Sequence, residues 1–141
     1  MNLSNKVLKL LGMKIASQML ETDIPSEVRL WRAVVTLAVE DVLNISQSRN
    51  EAVIKANAHD WFVNNSDDFQ KVCYHAKLDP EFVRDRYLGA LDTGKIFFTR
   101  KQHLYIRYTQ AYEKLRKEKD HIQRKRLTKV IEKLRSDLLK S

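Results

Sequence analysis

Apolar residues recur three and four positions apart through most of the chain, which is the period of an amphipathic helix. In the first twenty residues this spacing runs from Leu3 to Met19, with lysines between the apolar positions. The segment 26–44 is apolar around most of its circumference, so the pattern predicts that it forms the central buried helix. Shorter amphipathic helices are predicted at 48–63 and 67–76.

Residues that favour helix starts precede most of these segments. Ser48 stands three residues before a glutamate, which is the spacing of a capping box. Ser66 can cap the helix that follows it. Asp79 can cap a fifth helix with Pro80 at its first position, and this helix should end before Gly94.

The remaining residues are predicted to form one long helix or a helical hairpin. A short apolar run at 95–98 could be extended or could fill the core. Thr99 and Gln102 form a second capping box, and 100–139 contains no Gly or Pro. Two apolar seams follow, and their register breaks at 122–127. The seams consist of Leu104, Tyr108, Ala111 and Leu115, then Leu127, Ile131, Leu134 and Leu138. Each seam needs a covering surface, so we expect a homo-oligomer if the helix is continuous and a monomer if it folds back.

These elements define an all-α fold, which suits a chain of 141 residues with only three Gly and two Pro. A compact body of about five helices, 1–94, should precede a basic amphipathic extension, 95–141. The residues expected to be buried are Trp31, Val34, Val35, Leu37, Trp61, Phe62, Phe69, Val72, Val83 and Tyr87.

Charge is distributed unevenly between these two parts. Residues 95–141 contain 15 Lys and Arg and 5 Asp and Glu, a net charge of +10. Residues 1–94 contain 11 Lys and Arg and 13 Asp and Glu, a net charge of −2. Clustered bases gain affinity for nucleic acid by releasing counterions from phosphates, so double-stranded DNA is the first partner to consider.

The segment 66–91 has the dimensions of a helix-turn-helix, because two short helices flank a three-residue link. The link lacks glycine, so Lys77 or a neighbour must adopt the strained backbone. In such motifs the second helix reads base edges in the major groove. An ordinary pair of core helices is the alternative interpretation.

The candidate DNA contacts come from both parts of the chain. Base reading is predicted for Glu81, Arg84 and Asp85, with Arg84 on guanine and Glu81 on cytosine. The predicted phosphate contacts of the helix pair are Lys71, Lys77 and Arg86. Those of the basic extension are Arg100, Lys101, Arg107, Arg124, Lys125 and Arg126.

Catalysis, metal binding and a cofactor find little support in the sequence. There is no phosphate-binding loop, no nucleophile elbow and no paired-histidine motif. Cys73 is the single cysteine and should be a buried thiol, which fits a cytoplasmic protein. No apolar run reaches 18 residues, so we expect no membrane span. The basic segment 2–20 could alternatively be a transit peptide or a membrane-surface helix.

Short groups of core and cap residues form a further pattern between residues 28 and 90. They are Leu30-Trp31-Arg32-Ala33-Val34, Trp61-Phe62, Asp68-Phe69, Val72-Cys73, Leu78-Asp79-Pro80 and Val83-Arg84. This pattern resembles short phage, prophage and gene-transfer-agent proteins. The resemblance implies a helix-turn-helix DNA-binding protein, either a transcriptional regulator or a small terminase subunit. The alternative is an interaction module whose basic helix docks an acidic polymerase or virion component.

Overall fold

The structure is a computed structural model that describes residues 5–141. This range contains seven helices and no strand, so the predicted all-α class is confirmed. The helices are α1 Asn5–Met19, α2 Ser26–Leu43, α3 Arg49–Val63, α4 Asp67–His75, α5 Pro80–Asp92, α6 Arg100–Lys117 and α7 His121–Lys140. The basic extension is therefore the hairpin of the two predicted alternatives. Leu3 lies outside the described residues.

The chain divides into two units. The first, here called the body, comprises 5–44 and 57–97, and the second, the hairpin unit, comprises 45–56 and 98–141. Helix α3 therefore begins in the hairpin unit and ends in the body. The sequence placed this boundary at 94/95 and assigned 45–56 to the body. The structure groups 45–56 with the C-terminal helices, because polar contacts join this segment to α6.

The predicted helix starts form as the sequence indicates. Ser48 and Ser66 each accept a hydrogen bond from the backbone N–H three residues on, at 3.2 Å. Asp79 accepts from the N–H two residues on, at 3.0 Å. Thr99 and Gln102 form the complete reciprocal capping box. These side chains satisfy N–H groups that the first turn of each helix leaves without a backbone partner.

Apolar side chains from α1, α2, α4, α5 and the end of α3 form the core of the body. At its centre the ring of Phe62 meets that of Tyr87 edge-to-face, with 4.4 Å between centroids. Ile96, from the short apolar run, is also buried there. Six of the ten side chains expected to be buried are buried, and both tryptophans are half-buried.

The expectation that α2 is the central buried helix, apolar around most of its circumference, was wrong for one of its faces. Leu30, Val34 and Leu37 are 63%, 37% and 58% exposed. The buried face of α2 instead includes Arg32 and Thr36 between its valines. The guanidinium of Arg32 is buried because it reaches backbone carbonyl groups at the ends of two other helices. The apolar side chains on the opposite face are consequently left at the surface.

Helix α1 is broken at Gly12, whose φ of 83° and ψ of 166° are not helical. The break frees carbonyl groups that would otherwise accept hydrogen bonds within the helix. Arg86 donates from Nε to the carbonyl of Leu10 at 3.2 Å and from Nη2 to that of Lys9 at 3.1 Å. The arginine of α5 thus completes the hydrogen bonding of the first half of α1.

The link between α4 and α5 contains the strained residue that the sequence predicted. Lys77 has a φ of 56°, in the left-handed region. Its N–H donates to Tyr74 and the N–H of Leu78 donates to Cys73, which is the Schellman pattern of a helix end. The two helices and their link are therefore present, while their use in reading DNA remains a prediction.

Candidate nucleic-acid interface

The hairpin unit contains the candidate interface, and its turn is fixed by hydrogen bonds. Residues 118–120 connect α6 to α7, and Asp120 caps α7 by accepting from the N–H of Ile122 at 3.2 Å. Arg124 donates from Nη1 to the carbonyl of Leu115 at 2.7 Å and to that of Glu118 at 2.8 Å. Arg124 therefore satisfies carbonyl groups at the C-terminal end of α6, where cations are favoured.

The two predicted seams pack against each other inside the hairpin. Leu104 and Ala111 from α6 meet Ile131 and Leu134 from α7 in a small core. The seam residues Tyr108, Leu115 and Leu138 and the neighbouring Tyr112 also pack there and are half-buried. Because each seam covers the other, the argument for an oligomer built on these seams no longer holds.

Polar contacts attach the segment 45–56 to α6. The Nζ of Lys55 donates to Oε1 of Gln102 at 3.0 Å, and the Nε2 of Gln102 donates to the carbonyl of Ser46 at 3.2 Å. Lys55 is fully buried and lies 4.7 Å from the ring centroid of Phe98. Burial lowers the pKa of the Lys55 amine to about 8. This lysine supports the fold and is not available to a ligand.

Tyrosine and arginine side chains form a second polar cluster on the hairpin unit. Arg135 donates to the hydroxyl of Tyr112 at 2.9 Å and, more weakly, to that of Tyr108 at 3.4 Å. Arg49 lies over the ring of Tyr108, 5.1 Å from its centroid, and donates to Thr109 at 3.4 Å. The hydrogen bond from Arg135 is the largest cause of a lowered pKa at Tyr108.

Most bases of the hairpin unit have no acidic partner. The unit contains 16 Lys and Arg and 6 Asp and Glu, a formal charge of +10. Five of the 16 make the contacts described above or, for Arg116, an ion pair with Glu113. The other eleven make no ion pair or side-chain hydrogen bond within residues 5–141. They are Arg100, Lys101, Arg107, Lys114, Lys117, Lys119, Lys125, Arg126, Lys129, Lys133 and Lys140. A surface of this kind attracts polyanions.

One face of the hairpin contains a groove between α6 and α7, with a volume of about 660 Å³. Its apolar residues are Leu104, Ala111, Leu127, Val130 and Leu134, and its basic residues are Arg107, Lys114, Lys129 and Lys133. Asp137 is the acidic residue among those that line it. The groove therefore combines an apolar floor, of which mainly Leu127 and Val130 are accessible, with a basic rim.

In the body, the two arginines of the predicted reading helix are directed to backbone carbonyl groups. Arg84 donates to the carbonyl of Val63 from Nε at 3.2 Å and from Nη2 at 3.0 Å. The sequence predicted that Arg84 reads a base, but its guanidinium is engaged with α3, because the end of α3 leaves carbonyl groups that α5 can reach. Arg86 is engaged with α1 in the same way, whereas Glu81 and Asp85 are exposed.

The structure thus divides the predicted DNA contacts between the two units. Lys71 and Lys77 are exposed in the body, as are the acids Glu81 and Asp85 of α5. Arg100, Arg107, Lys125 and Arg126 are exposed in the hairpin unit, and Lys101 is half-buried there. Arg124, also predicted to contact phosphate, is engaged with the carbonyl groups of the turn. The sequence pattern indicated Tyr108 only as a seam residue and did not indicate Arg49, Tyr112 or Arg135. A simple antiparallel register about the turn at 118–120 places Arg135 opposite His103, so it does not identify the contacts with Tyr108 and Tyr112.

The remaining candidate residues for chemistry are explained by packing. Cys73 is buried, and its pKa is raised to about 12 by burial and by Asp79. His59 Nδ1 lies 2.6 Å from the hydroxyl of Tyr87, whose pKa is raised by burial. Among residues 5–141 there is no group of three or more side chains suited to holding a metal ion. None of the described helices is long and apolar enough to cross a membrane.

In comparisons with protein-family models, with curated proteins and with solved structures, no match to this chain was found. The case for a function therefore rests on the charges and contacts of its own residues.

Proposed function

We propose that this protein binds double-stranded DNA without catalysing a reaction, and that the hairpin unit contacts the phosphates. The observation that carries this proposal is the set of eleven uncompensated bases on a unit of formal charge +10. Lys and Arg side chains without acidic partners can each displace a counterion condensed on the duplex. Binding should therefore depend steeply on salt and only weakly on sequence.

The helix pair α4–α5 contributes less to this binding than the hairpin unit. The guanidinium groups of Arg84 and Arg86 are occupied by carbonyl groups, so a base contact would require them to leave these partners. Glu81 and Asp85 are exposed acids that repel phosphates. Lys71 and Lys77 remain available and would supply the phosphate contacts of a helix-turn-helix. The resemblance to short phage proteins supports a role in transcription regulation or DNA packaging.

The proposal is tested by fluorescence anisotropy with a labelled duplex and nuclease-treated protein over a range of salt concentrations. The double variant Lys125→Gln, Arg126→Gln should bind all sequences more weakly. The slope of log affinity against log salt should become shallower by about 2, since two phosphate contacts are lost. The matched control is Lys6→Gln, Lys9→Gln, which removes the same charge from exposed positions of the body.

The control variant should keep the slope of the native protein. Absence of binding to any duplex at low salt would contradict the proposal, as would an equal loss in the two double variants. A partner retained by the protein from nuclease-treated lysate would instead favour the interaction module with an acidic partner.

A further inference from the structure

The exposed face of α2 is an apolar stripe bordered by acids. Leu30, Val34 and Leu37 are four and three positions apart, so they align along one side of the helix. The acids along this side are Glu27, Glu40 and Asp41. The two arginines of α2 are engaged elsewhere: Arg32 is buried, and Arg29 donates to the carbonyl of Thr22 at 3.1 Å. The stripe therefore presents apolar and negatively charged groups together.

The groove of the hairpin unit has the complementary composition. Its rim contains four of the eleven uncompensated bases, and Val130 on its floor is 49% exposed. Apolar surface of this kind is stabilised when another apolar surface covers it. The rim bases would meet acids on the covering element. A helix with an apolar stripe and acidic borders fits both requirements.

We propose that the α2 stripe of one copy of this chain docks in the α6–α7 groove of a second copy. The lengths agree, since Leu30 to Leu37 spans about 10 Å and Leu104 to Lys114 about 15 Å at 1.5 Å per residue. Pairing two grooves would oppose four bases with four bases, and pairing two stripes would oppose acids with acids. Like-charge contacts of this kind are unfavourable at interfaces.

The contact joins two different surfaces, the stripe of one copy and the groove of another. Two copies that dock reciprocally about a two-fold axis stop at two chains, whereas a single contact leaves one free stripe and one free groove, so that association continues until a ring closes. Such an assembly would place several hairpin units together, although its formation needs no nucleic acid. Four of the five apolar groove residues, Leu104, Ala111, Leu127 and Leu134, belong to the seams, so the docked stripe would cover the side of the seams that lines the groove.

Two variants each remove one surface while keeping the other. The stripe variant is Leu30→Gln, Leu37→Gln, and the groove variant is Lys129→Glu, Lys133→Glu. All four residues are exposed, so the helix content measured by circular dichroism should remain native. The matched controls are Ile45→Gln, Ile54→Gln for the stripe and Lys117→Glu, Lys119→Glu for the groove.

Molar mass is measured by light scattering on nuclease-treated protein over a range of concentrations. The native chain and both controls should reach the mass of two chains or more as concentration rises. Each variant alone should have the molar mass of one chain. Its association constant should be at least tenfold lower than that of the native chain. An equal mixture of the two variants should reach two chains and stop, because one intact stripe meets one intact groove. A monomeric native chain, association of the stripe variant, or a mixture that stays monomeric would overturn the proposal.

Discussion

The body and the hairpin unit use basic residues in opposite ways. The body has 10 Lys and Arg and 12 Asp and Glu, and Arg32, Arg84 and Arg86 donate to backbone carbonyl groups of other helices. In the hairpin unit, eleven of 16 bases have no acidic or hydrogen-bonding partner within residues 5–141. A count of charges along a sequence therefore overstates the binding surface wherever arginines complete the hydrogen bonding of helix ends.

The largest effect is expected from Arg32, which is 2% exposed. Its guanidinium donates to the carbonyl of Ala76 at 2.9 Å and to that of Gln18, and it lies 3.8 Å from Glu21. Arg32→Met should lower the free energy of unfolding by about 3 kcal/mol, because buried carbonyl groups lose their donors. Urea denaturation followed by circular dichroism measures this change.

The control for this prediction lies in the other unit. Arg126→Met removes the same group from a side chain without a partner and should change the free energy of unfolding by less than about 0.5 kcal/mol. Equal losses of unfolding free energy in Arg32→Met and Arg126→Met would contradict the difference between the body and the hairpin unit.

The second prediction concerns Gly12, at the break in α1. A Cβ atom there would lie 2.9 Å from Nε of Arg86, and the φ of 83° is strained for any other residue. Gly12→Ala should therefore destabilise the protein by about 2 kcal/mol, partly because Arg86 must leave the carbonyl groups of α1. Thermal unfolding measures the change.

Gly89 is the matched control, since a Cβ atom in its place on α5 would contact nothing within 4 Å. Gly89→Ala should stabilise the protein by about 0.5 to 1 kcal/mol, because alanine favours the helix. The two substitutions should thus have opposite signs. Destabilisation by both would indicate that the break at Gly12 has no special role.

Helices could be predicted from the sequence because their start signals are local. Ser66, Asp79 and Thr99 each act within three residues, and Lys77 was identified because the link lacked a glycine. The choice between a long helix and a hairpin could not be made, since Arg124 closes the turn by reaching back to Leu115. Such contacts depend on which helix ends meet, and this is set by the packing of the whole unit.

The candidate site was predictable as a charged segment but not as a surface. The net charge of 95–141 indicated phosphate contacts, and Arg100, Arg107, Lys125 and Arg126 are indeed exposed. The groove was not predicted, because its rim combines residues from two helices. The engagement of Arg84 and Arg86 was missed for a similar reason. Their partners are backbone carbonyl groups, which carry no signal in the sequence.

The third prediction tests Lys55, a buried base within the hairpin unit. Its pKa of about 8 lies below the 10.5 of an ordinary lysine, so the unfolded state binds more protons between these values. The contribution of Lys55 to stability should therefore rise with pH from about 8 to 10.5. Below pH 8 the penalty for burying the charge is fully present.

The measurement compares the native protein with Lys55→Met by urea denaturation at several pH values. The native protein should gain about 1 to 3 kcal/mol relative to the variant across this interval. In the variant, Oε1 of Gln102 still accepts a hydrogen bond from the N–H of Thr99, at 3.0 Å in the native protein. The substitution therefore leaves this oxygen with a partner. Lys125→Met, at an exposed position, should show no such difference. Parallel pH profiles for all three proteins would contradict a shifted pKa at Lys55.

The smallest effect is expected from Lys77, an exposed base of the body that occupies a left-handed conformation. Gly94 has a φ of 77° at the corresponding position after α5, where it ends the helix with the same pattern of hydrogen bonds. Lys77→Gly should stabilise the protein by about 0.5 to 1 kcal/mol because it removes the strain, and Gly94→Ala should destabilise it by a similar amount.

If the hairpin unit provides most phosphate contacts, Lys77→Gly should change duplex affinity by less than about threefold, near the effect of one lost contact at moderate salt. Thermal unfolding and anisotropy measure the two quantities on one sample. A tenfold loss of affinity would place α4–α5 on the DNA and assign the body a direct part in binding.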